Sequence, residues 1–228
     1  VEKGLESNQN QFTIKGGINM KIAVINEVSA SLRNEDIVKA LHKTTDAEIL
    51  NVGMKTPEQM PSLTYIHTSY MAAILLNTGS CDFVVGGCGT GQGFLNGVLQ
   101  FPGIVCGLIV EPLDGWLFSQ INGGNCVSLP LNKGYGWAAN VNLEYTFEKL
   151  FKDPAGAGYP RERAESQGQS RKKLAEISKM THKDLTQILL DTDSEILKAI
   201  AGTDSFMEVL EHGGDGAKDV LEYLKQFR

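Results

Sequence analysis

The chain has 228 residues, 42% of them hydrophobic, with a net charge of −6. That length suffices for one α/β domain with a sizeable core, or a core domain with a small appendage. The mildly acidic balance gives no general attraction to nucleic acid or anionic membranes, and no apolar run reaches the ~18 residues a membrane helix needs.

In chain order, residues 1–19 are polar and lack the apolar centre of a signal peptide. Met20-Lys21-Ile22-Ala23-Val24 reads as a natural start before a strand, so residues 1–19 are expected to be a disordered or non-native leader. Lys21–Asn26 (KIAVIN) is a short apolar run, a buried parallel strand. Arg33–Lys43 follows as an amphipathic helix, and Glu48–Val52 as a second strand. Residues 54–63 form a polar loop, and Thr64–Asn77 is a helix. Asp82–Gly86 is a third strand running into Gly86-Gly87-Cys88-Gly89-Thr90-Gly91-Gln92-Gly93 and a helix from about Gly91. Ile104–Val110, Pro112–Ile121, Asn125–Leu129 and Tyr135–Phe151 continue as strand, helix, strand and helix. Proline at a helix start fits the first turn, where its missing N–H costs little.

This alternation predicts a Rossmann-like, doubly wound parallel sheet of about five strands. Ligands of such sheets bind beyond the carboxyl ends of the strands. Residues 26–29, 53–65, 86–93, 111–114 and 130–134 should lie at that edge. After Phe151 the composition changes. Residues 153–160 (DPAGAGYP) read as a linker, and residues 161–228 carry only helical patterns, at Lys172–Lys179, Lys183–Leu190, Ser194–Ile200, Phe206–Leu210 and Lys218–Phe227. The predicted organisation is a leader (1–19), an α/β domain (20–152), and a linker with a helical extension (153–228).

The four cysteines, Cys81, Cys88, Cys106 and Cys126, form no C-x-x-C pair, which argues against a zinc knuckle or redox dithiol. In a chain without a secretion signal they read as free thiols, and a cytoplasmic location is expected.

Strand, glycine-rich segment and helix together are the informative pattern. Glycines permit positive φ and let a ligand approach the backbone, and the following N–H groups can hold an oxyanion, either a phosphate or a developing enediolate. Thr90 adds a hydroxyl, and Cys88 places a thiol at the strand end. The competing reading is a tight turn with a structural cysteine. A dinucleotide loop would need G-x-G-x-x-G after the first strand, and a Walker A loop would need Gly-Lys-Ser/Thr; neither is present. Tyr65 and His67 open a helix at the ligand edge, where a histidine can shuttle protons or simply sit on the surface. Asn26 and Glu27 end the first strand, where a carboxylate can bind sugar hydroxyls or cap the next turn. Arg161 and Arg163 can clamp a phosphate or form a solvated cluster.

With Cys88-Gly89-Thr90-Gly91-Gln92-Gly93, Phe101-Pro102-Gly103-Ile104, Glu111-Pro112, Asn122 and Asn125 in this order, Met20 to Arg163 resembles the ribose/galactose isomerase family, which includes type B ribose-5-phosphate isomerases and galactose-6-phosphate isomerase subunits. The resemblance implies a Rossmann-like fold, no metal and no cofactor, and a homodimer or homotetramer with shared active sites. It implies interconversion of an aldose phosphate and a ketose phosphate through a cis-enediolate. Cys88 then falls at the position of the proton-transferring thiolate, and Thr90 with the backbone of Gly89, Gly91 and Gly93 at the enediolate-stabilising loop. Tyr65, Asn122, Asn26 and Glu27 fall at substrate-contacting positions, His67 at the family histidine two residues after that tyrosine, where it can take over acid–base work, and Arg161 and Arg163 loosely at phosphate-binding positions. The chain departs from the family pattern in three places. The usual Asp-His after the first strand is Glu27-Val28, the ring-opening histidine is Ile121, and about 60 residues are added at the C-terminus, a longer subtype. These losses leave open a non-catalytic sugar-phosphate-binding or regulatory protein on the same fold, and, more remotely, a nucleotide- or flavin-binding module.

Overall fold

The computed structural model describes residues 20–228; the leader expected at 1–19 lies outside the described residues. Five parallel strands form one sheet: β1 (Lys21–Asn26), β2 (Glu48–Asn51), β3 (Phe83–Cys88), β4 (Cys106–Leu108) and β5 (Cys126–Pro130), in the order β2-β1-β3-β5-β4. This is the doubly wound α/β fold that the strand–helix alternation predicts. The winding reverses between β1 and β3, where Ile22 to Asn26 pair with Phe83 to Gly87. A crevice at the carboxyl ends of those two strands is the expected ligand position.

The strands alternate their side chains between two covered faces. On one face Ile22, Val24, Phe83, Val85, Val127 and Leu129 meet α1 (Asn34–Thr44) and α5 (Ala139–Phe151) through Ile37, Leu41, Leu143, Phe147 and Leu150. On the other, Ala23, Ile25, Val84 and Cys126 meet α2 (Tyr65–Asn77) and α3 (Gln92–Val98) through Met71, Ile74, Leu75, Phe94 and Val98. Burial on both faces is why the strands read as unbroken apolar runs. Each large side chain so buried contributes about 1.5–3 kcal/mol.

The second core does not stop at the domain's expected border. α7 (Leu185–Leu190), α8 (Ser194–Ala201), α9 (Asp204–Glu211) and α10 (Ala217–Lys225) bring Leu189, Leu197, Ile200, Phe206, Met207, Leu210, Leu221 and Leu224 into the same cluster as α2. Thr192 donates to the Tyr70 hydroxyl at 3.1 Å, and Ser205 to the Val52 carbonyl at 2.9 Å, so the tail touches both α2 and the end of β2. The 153–160 segment is pinned: Gly156 and Gly158 donate to Ser119 and Gln120 carbonyls at 2.7 and 2.9 Å.

Four expected elements differ. The helix expected at Pro112–Ile121 is α4 (Pro112–Leu117), continued by a wider π turn over Phe118–Asn122. The last helix of the sheet domain starts at Ala139, not Tyr135, because Gly134 and Ala138 take positive φ (73° and 63°) and interrupt the helix. β4 spans three residues instead of Ile104–Val110, as befits an edge strand paired on one side only. The helix expected at Lys172–Lys179 is a longer one, α6 (Ala164–Thr181), with no buried residue; its polar first half carries no apolar period. Among the described residues no helix is long and apolar enough to cross a membrane.

Candidate active site

β3 ends on Cys88, which is almost wholly buried beneath the carboxyl edge. The chain then folds back on itself. The Cys88 carbonyl accepts from Leu131 N–H (3.0 Å) and Gly91 N–H (3.3 Å), and the Gly89 carbonyl accepts from both Asn132 and Lys133 N–H at 3.0 Å. The Ser128 hydroxyl donates to the Gly91 carbonyl at 2.6 Å. Gln92 N–H donates to the Thr90 hydroxyl oxygen at 3.3 Å. The carbonyls of this loop thus face β5 and the segment after it. In a trans peptide the N–H points opposite to the carbonyl, so the N–H groups of Gly89 and Thr90 turn away from β5. Neither has a protein acceptor among the described residues, and the same holds for Gly93 N–H. Paired carbonyls with free N–H groups make an anion cradle.

Two glycines are needed for its shape. Gly91 has φ +75°, and a Cβ there would lie 2.6 Å from Leu108 Cδ1. Gly93 lies against the Tyr65 ring, 3.0 Å from where a Cβ would stand, so the half-exposed tyrosine closes over the start of α3.

Glu27 and its surroundings form the β1 side of the crevice. Glu27 accepts from Ser29 N–H at 2.9 Å through Oε2 and from the Ser29 hydroxyl through Oε1. The Ser29 carbonyl accepts from Asn132 Nδ2 at 2.8 Å. Asn26 is fully buried, with Nδ2 3.4 Å from the Ala30 carbonyl and Oδ1 without a partner among the described residues. It braces the turn after β1 from beneath. The loop after β5 is tied down by Tyr135, whose hydroxyl donates to Asp36 at 2.6 Å and whose ring lies 4.3 Å from the Arg33 guanidinium. Burial and the neighbouring Asp36 carboxylate push the Tyr135 hydroxyl well above its ordinary range.

His67 lies in the first turn of α2. Its Nδ1 accepts from Thr64 N–H at 3.0 Å, which leaves Nε2 as the outward nitrogen. Partial burial lowers its pKa from the usual 6.5. Asn122, Arg161 and Arg163 stand elsewhere. Asn122 ends a helical turn before β5, at the amino edge of the sheet, whereas Cys88 pairs with Pro130 at the far end of that strand. It borders a recess of about 250 Å³ with Gln167, Ser170 and Arg171. Arg171 donates to the carbonyls of Ile121 and Gly156, both at 2.9 Å, and so fixes this turn. Arg161 and Arg163 are exposed at the approach to α6.

One chain therefore assembles Cys88, Gly89, Thr90, Gly91, Gly93, Tyr65 and Glu27 at one edge. Asn122 belongs to the other, and Arg161 and Arg163 lie exposed in the turn before α6. Ser29, Asn132, Ser128 and Arg171 were not anticipated. Ser29 and Asn132 lie within the 26–29 and 130–134 stretches predicted at the ligand edge, and that position was the available signal. Among the described residues no group of three or more His, Cys, Asp or Glu is arranged to hold a metal.

The ribose/galactose isomerase family model matches residues 22–152. A crystal structure of 4-deoxy-L-threo-5-hexosulose-uronate ketol-isomerase complexed with a tartrate is 42% identical, with a TM-score of 0.87, covering 91% of this chain and 100% of that one. Ribose-5-phosphate isomerase LacAB_rpiB from Vibrio parahaemolyticus is 39% identical, with a TM-score of 0.87, covering 92% and 100%. The type B ribose 5-phosphate isomerase of Trypanosoma brucei shares the fold at 19% identity and a TM-score of 0.59, covering 70% of this chain and 99% of that one. A search of curated proteins returns no match. Both long relatives are covered end to end, so the C-terminal helices are common to them and to this chain. The chain belongs to the ribose/galactose isomerase family and is a sugar isomerase.

Proposed function

We propose that the chain interconverts an aldose and a ketose, each bearing a phosphate, through a cis-enediolate with Cys88 as the general base. The observation that carries this reading is the thiol at the end of β3 beside a loop whose Gly89, Thr90 and Gly93 N–H groups have no protein acceptor among the described residues. A thiolate is a competent carbon-proton base. Unpaired, rigidly held N–H groups stabilise the oxygen on which charge develops once that proton is removed. Tyr65, closed over Gly93, lines the cradle, and His67 offers Nε2 for proton transfer to a sugar oxygen.

A second copy of the chain completes the site. Asn122 lies at the wrong edge to reach Cys88 of its own chain, and Arg161 and Arg163 stand exposed ahead of α6. The helix that follows the arginines buries nothing and leaves Leu174, Ile177 and Met180 exposed at helical spacing. Such a stripe needs a partner. A homodimer that brings α6 and the Asn122 turn over a neighbour's Cys88 supplies the hydroxyl-binding amide and the basic side chains for an anion.

One observation favours a different anion. Ile121, at the position of the family's ring-opening histidine, has no acid–base group, which suits an open-chain substrate. A relative at 42% identity is named for a hexosulose uronate, whose anion is a carboxylate. Solvent-deuterium exchange at C2, followed by NMR, over ribose 5-phosphate, erythrose 4-phosphate and 4-deoxy-L-threo-5-hexosulose uronate, tests both readings. Exchange is expected on at least one and should fall at least ~100-fold in Cys88→Ser. No exchange on any of them would sink the isomerase mechanism, and unchanged exchange in the variant would remove Cys88 as the base.

A further inference from the structure

Isomerisation through an enediolate needs two proton movements. One is between carbons, and Cys88 serves it. The other is between oxygens: the proton on the C2 hydroxyl must leave and one must arrive on O1. Neither histidine position of the family provides for this here, since Val28 and Ile121 stand there. His67 has one ring nitrogen committed to Thr64.

One hydroxyl stands at the right place. Ser29 is exposed at the carboxyl edge after β1. A methyl group built on Gly89, the residue after Cys88, would stand 3.4 Å from Ser29 Oγ and 3.4 Å from Asn132 Nδ2. The unfilled side of Gly89 is therefore a recess of methyl size with a hydroxyl on its wall, one residue along the chain from Cys88. Three contacts fix that hydroxyl. The Glu27 carboxylate accepts from it, Ser29 N–H donates to the other Glu27 oxygen at 2.9 Å, and Asn132 holds the Ser29 carbonyl at 2.8 Å. Both Glu27 oxygens are engaged by Ser29, so the carboxylate acts on a substrate through the serine.

We propose that Ser29 is a catalytic residue that relays the hydroxyl proton between O2 and O1 of the enediolate, with Glu27 and Asn132 as its positioning residues. This rests on the enediolate reading above. Cys88 thiolate takes the C2 proton, and the electrons of that C–H bond form the C1=C2 bond while the carbonyl pair moves onto O1. Ser29 Oγ takes the proton from O2 and passes it on to O1, while its own hydroxyl proton stays in the bond to Glu27. The O2 pair then forms the C2=O bond, the C1=C2 electrons take the proton back from the Cys88 thiol at C1, and the thiolate is restored. Serine, carboxylate and thiolate all end as they began. Glu27 stays a carboxylate throughout and stabilises the partial positive charge that passes through the hydroxyl.

The test separates the two proton movements. Full-length protein is assayed in deuterium oxide on whichever aldose of the panel above exchanges fastest with the unaltered chain. C2 exchange and conversion to ketose are followed together. Ser29→Ala should raise the ratio of exchange to conversion by about 100-fold, since removing a general acid–base group costs ~10²–10⁴. Ser29→Thr, which keeps the hydroxyl, should restore the ratio. Glu27→Gln keeps the bond to Ser29 N–H but loses the charge, and should raise the ratio by about 10-fold. Equal loss of exchange and conversion in Ser29→Ala, or no change in either, overturns the relay. If Ser29→Ala does not fold, an unmoved ratio in Glu27→Gln overturns it equally. Absence of exchange by the unaltered chain instead defeats the parent mechanism, so the two failures are distinct.

Discussion

Gly91 is the residue on which the cradle turns. A side chain there meets both a left-handed backbone and the Leu108 methyl at 2.6 Å. Gly91→Ala is expected to cost about 1–3 kcal/mol in urea unfolding and to lose activity beyond that cost, because its carbonyl is the one that Ser128 holds. His67 carries a pH signature. Its folded pKa lies below the usual value of 6.5, so at mildly acidic pH the unfolded chain binds the proton that the folded chain refuses. Stability therefore falls as pH drops below about 6.5, and protonation of Nδ1 removes the acceptor for Thr64 N–H. Thermal melts between pH 7 and 5 should show a shallower decline for His67→Asn than for the unaltered chain. At this scale the sequence was legible where chemistry follows directly from residue type and local order: a thiol, glycines and a hydroxyl in one stretch. It set Ser29 and Asn132 in stretches at the ligand edge but could not join them, since they are 103 positions apart and meet only because β1 and β5 flank β3.

Among the elements, α2 explains why the tail exists in this form. Its residues 68–69 and 71–75 are buried around the whole helix, a pattern that one sheet face cannot produce. The sheet covers one side, α3 flanks it, and α7 and α8, backed by α9 and α10, cover the other. The apolar run Met71-Ala72-Ala73-Ile74-Leu75-Leu76 was visible in the sequence, yet helical spacing alone could not say what its second face met. Phe206, fully buried in that second layer, is the place to measure the attachment. Phe206→Ala should destabilise the protein by about 3–5 kcal/mol in urea unfolding, with a single transition, as one shared core requires. Element boundaries were least legible where glycine geometry ended a helix: the 135–138 stretch has aromatic residues at promising spacing, but Ala138 in the left-handed region separates it from α5.

For the whole molecule, the topology was readable because parallel strands buried on two faces leave unbroken apolar runs, and right-handed crossovers leave few ways to join them. The edge position of β4, with β5 inside it, was not, because no local signal orders strands that are both apolar and short. A chain ending at residue 182 would lose α7 to α10 and expose the outer face of α2. It is expected to aggregate or elute as large species in size-exclusion chromatography, while the full-length chain does not.

The separation of Cys88 from Asn122 along β5 has a genetic consequence. If each working centre draws one from each of two copies, two dead variants can repair one another. Cys88→Ser mixed in equal amount with Asn122→Ala, unfolded and refolded together, would place both lesions in one centre of each mixed dimer and leave its other centre intact. Half of randomly assorted dimers are mixed and half of their centres are whole, so about one quarter of unaltered activity should return. An allele pair that fails singly and succeeds together is the behaviour this arrangement predicts.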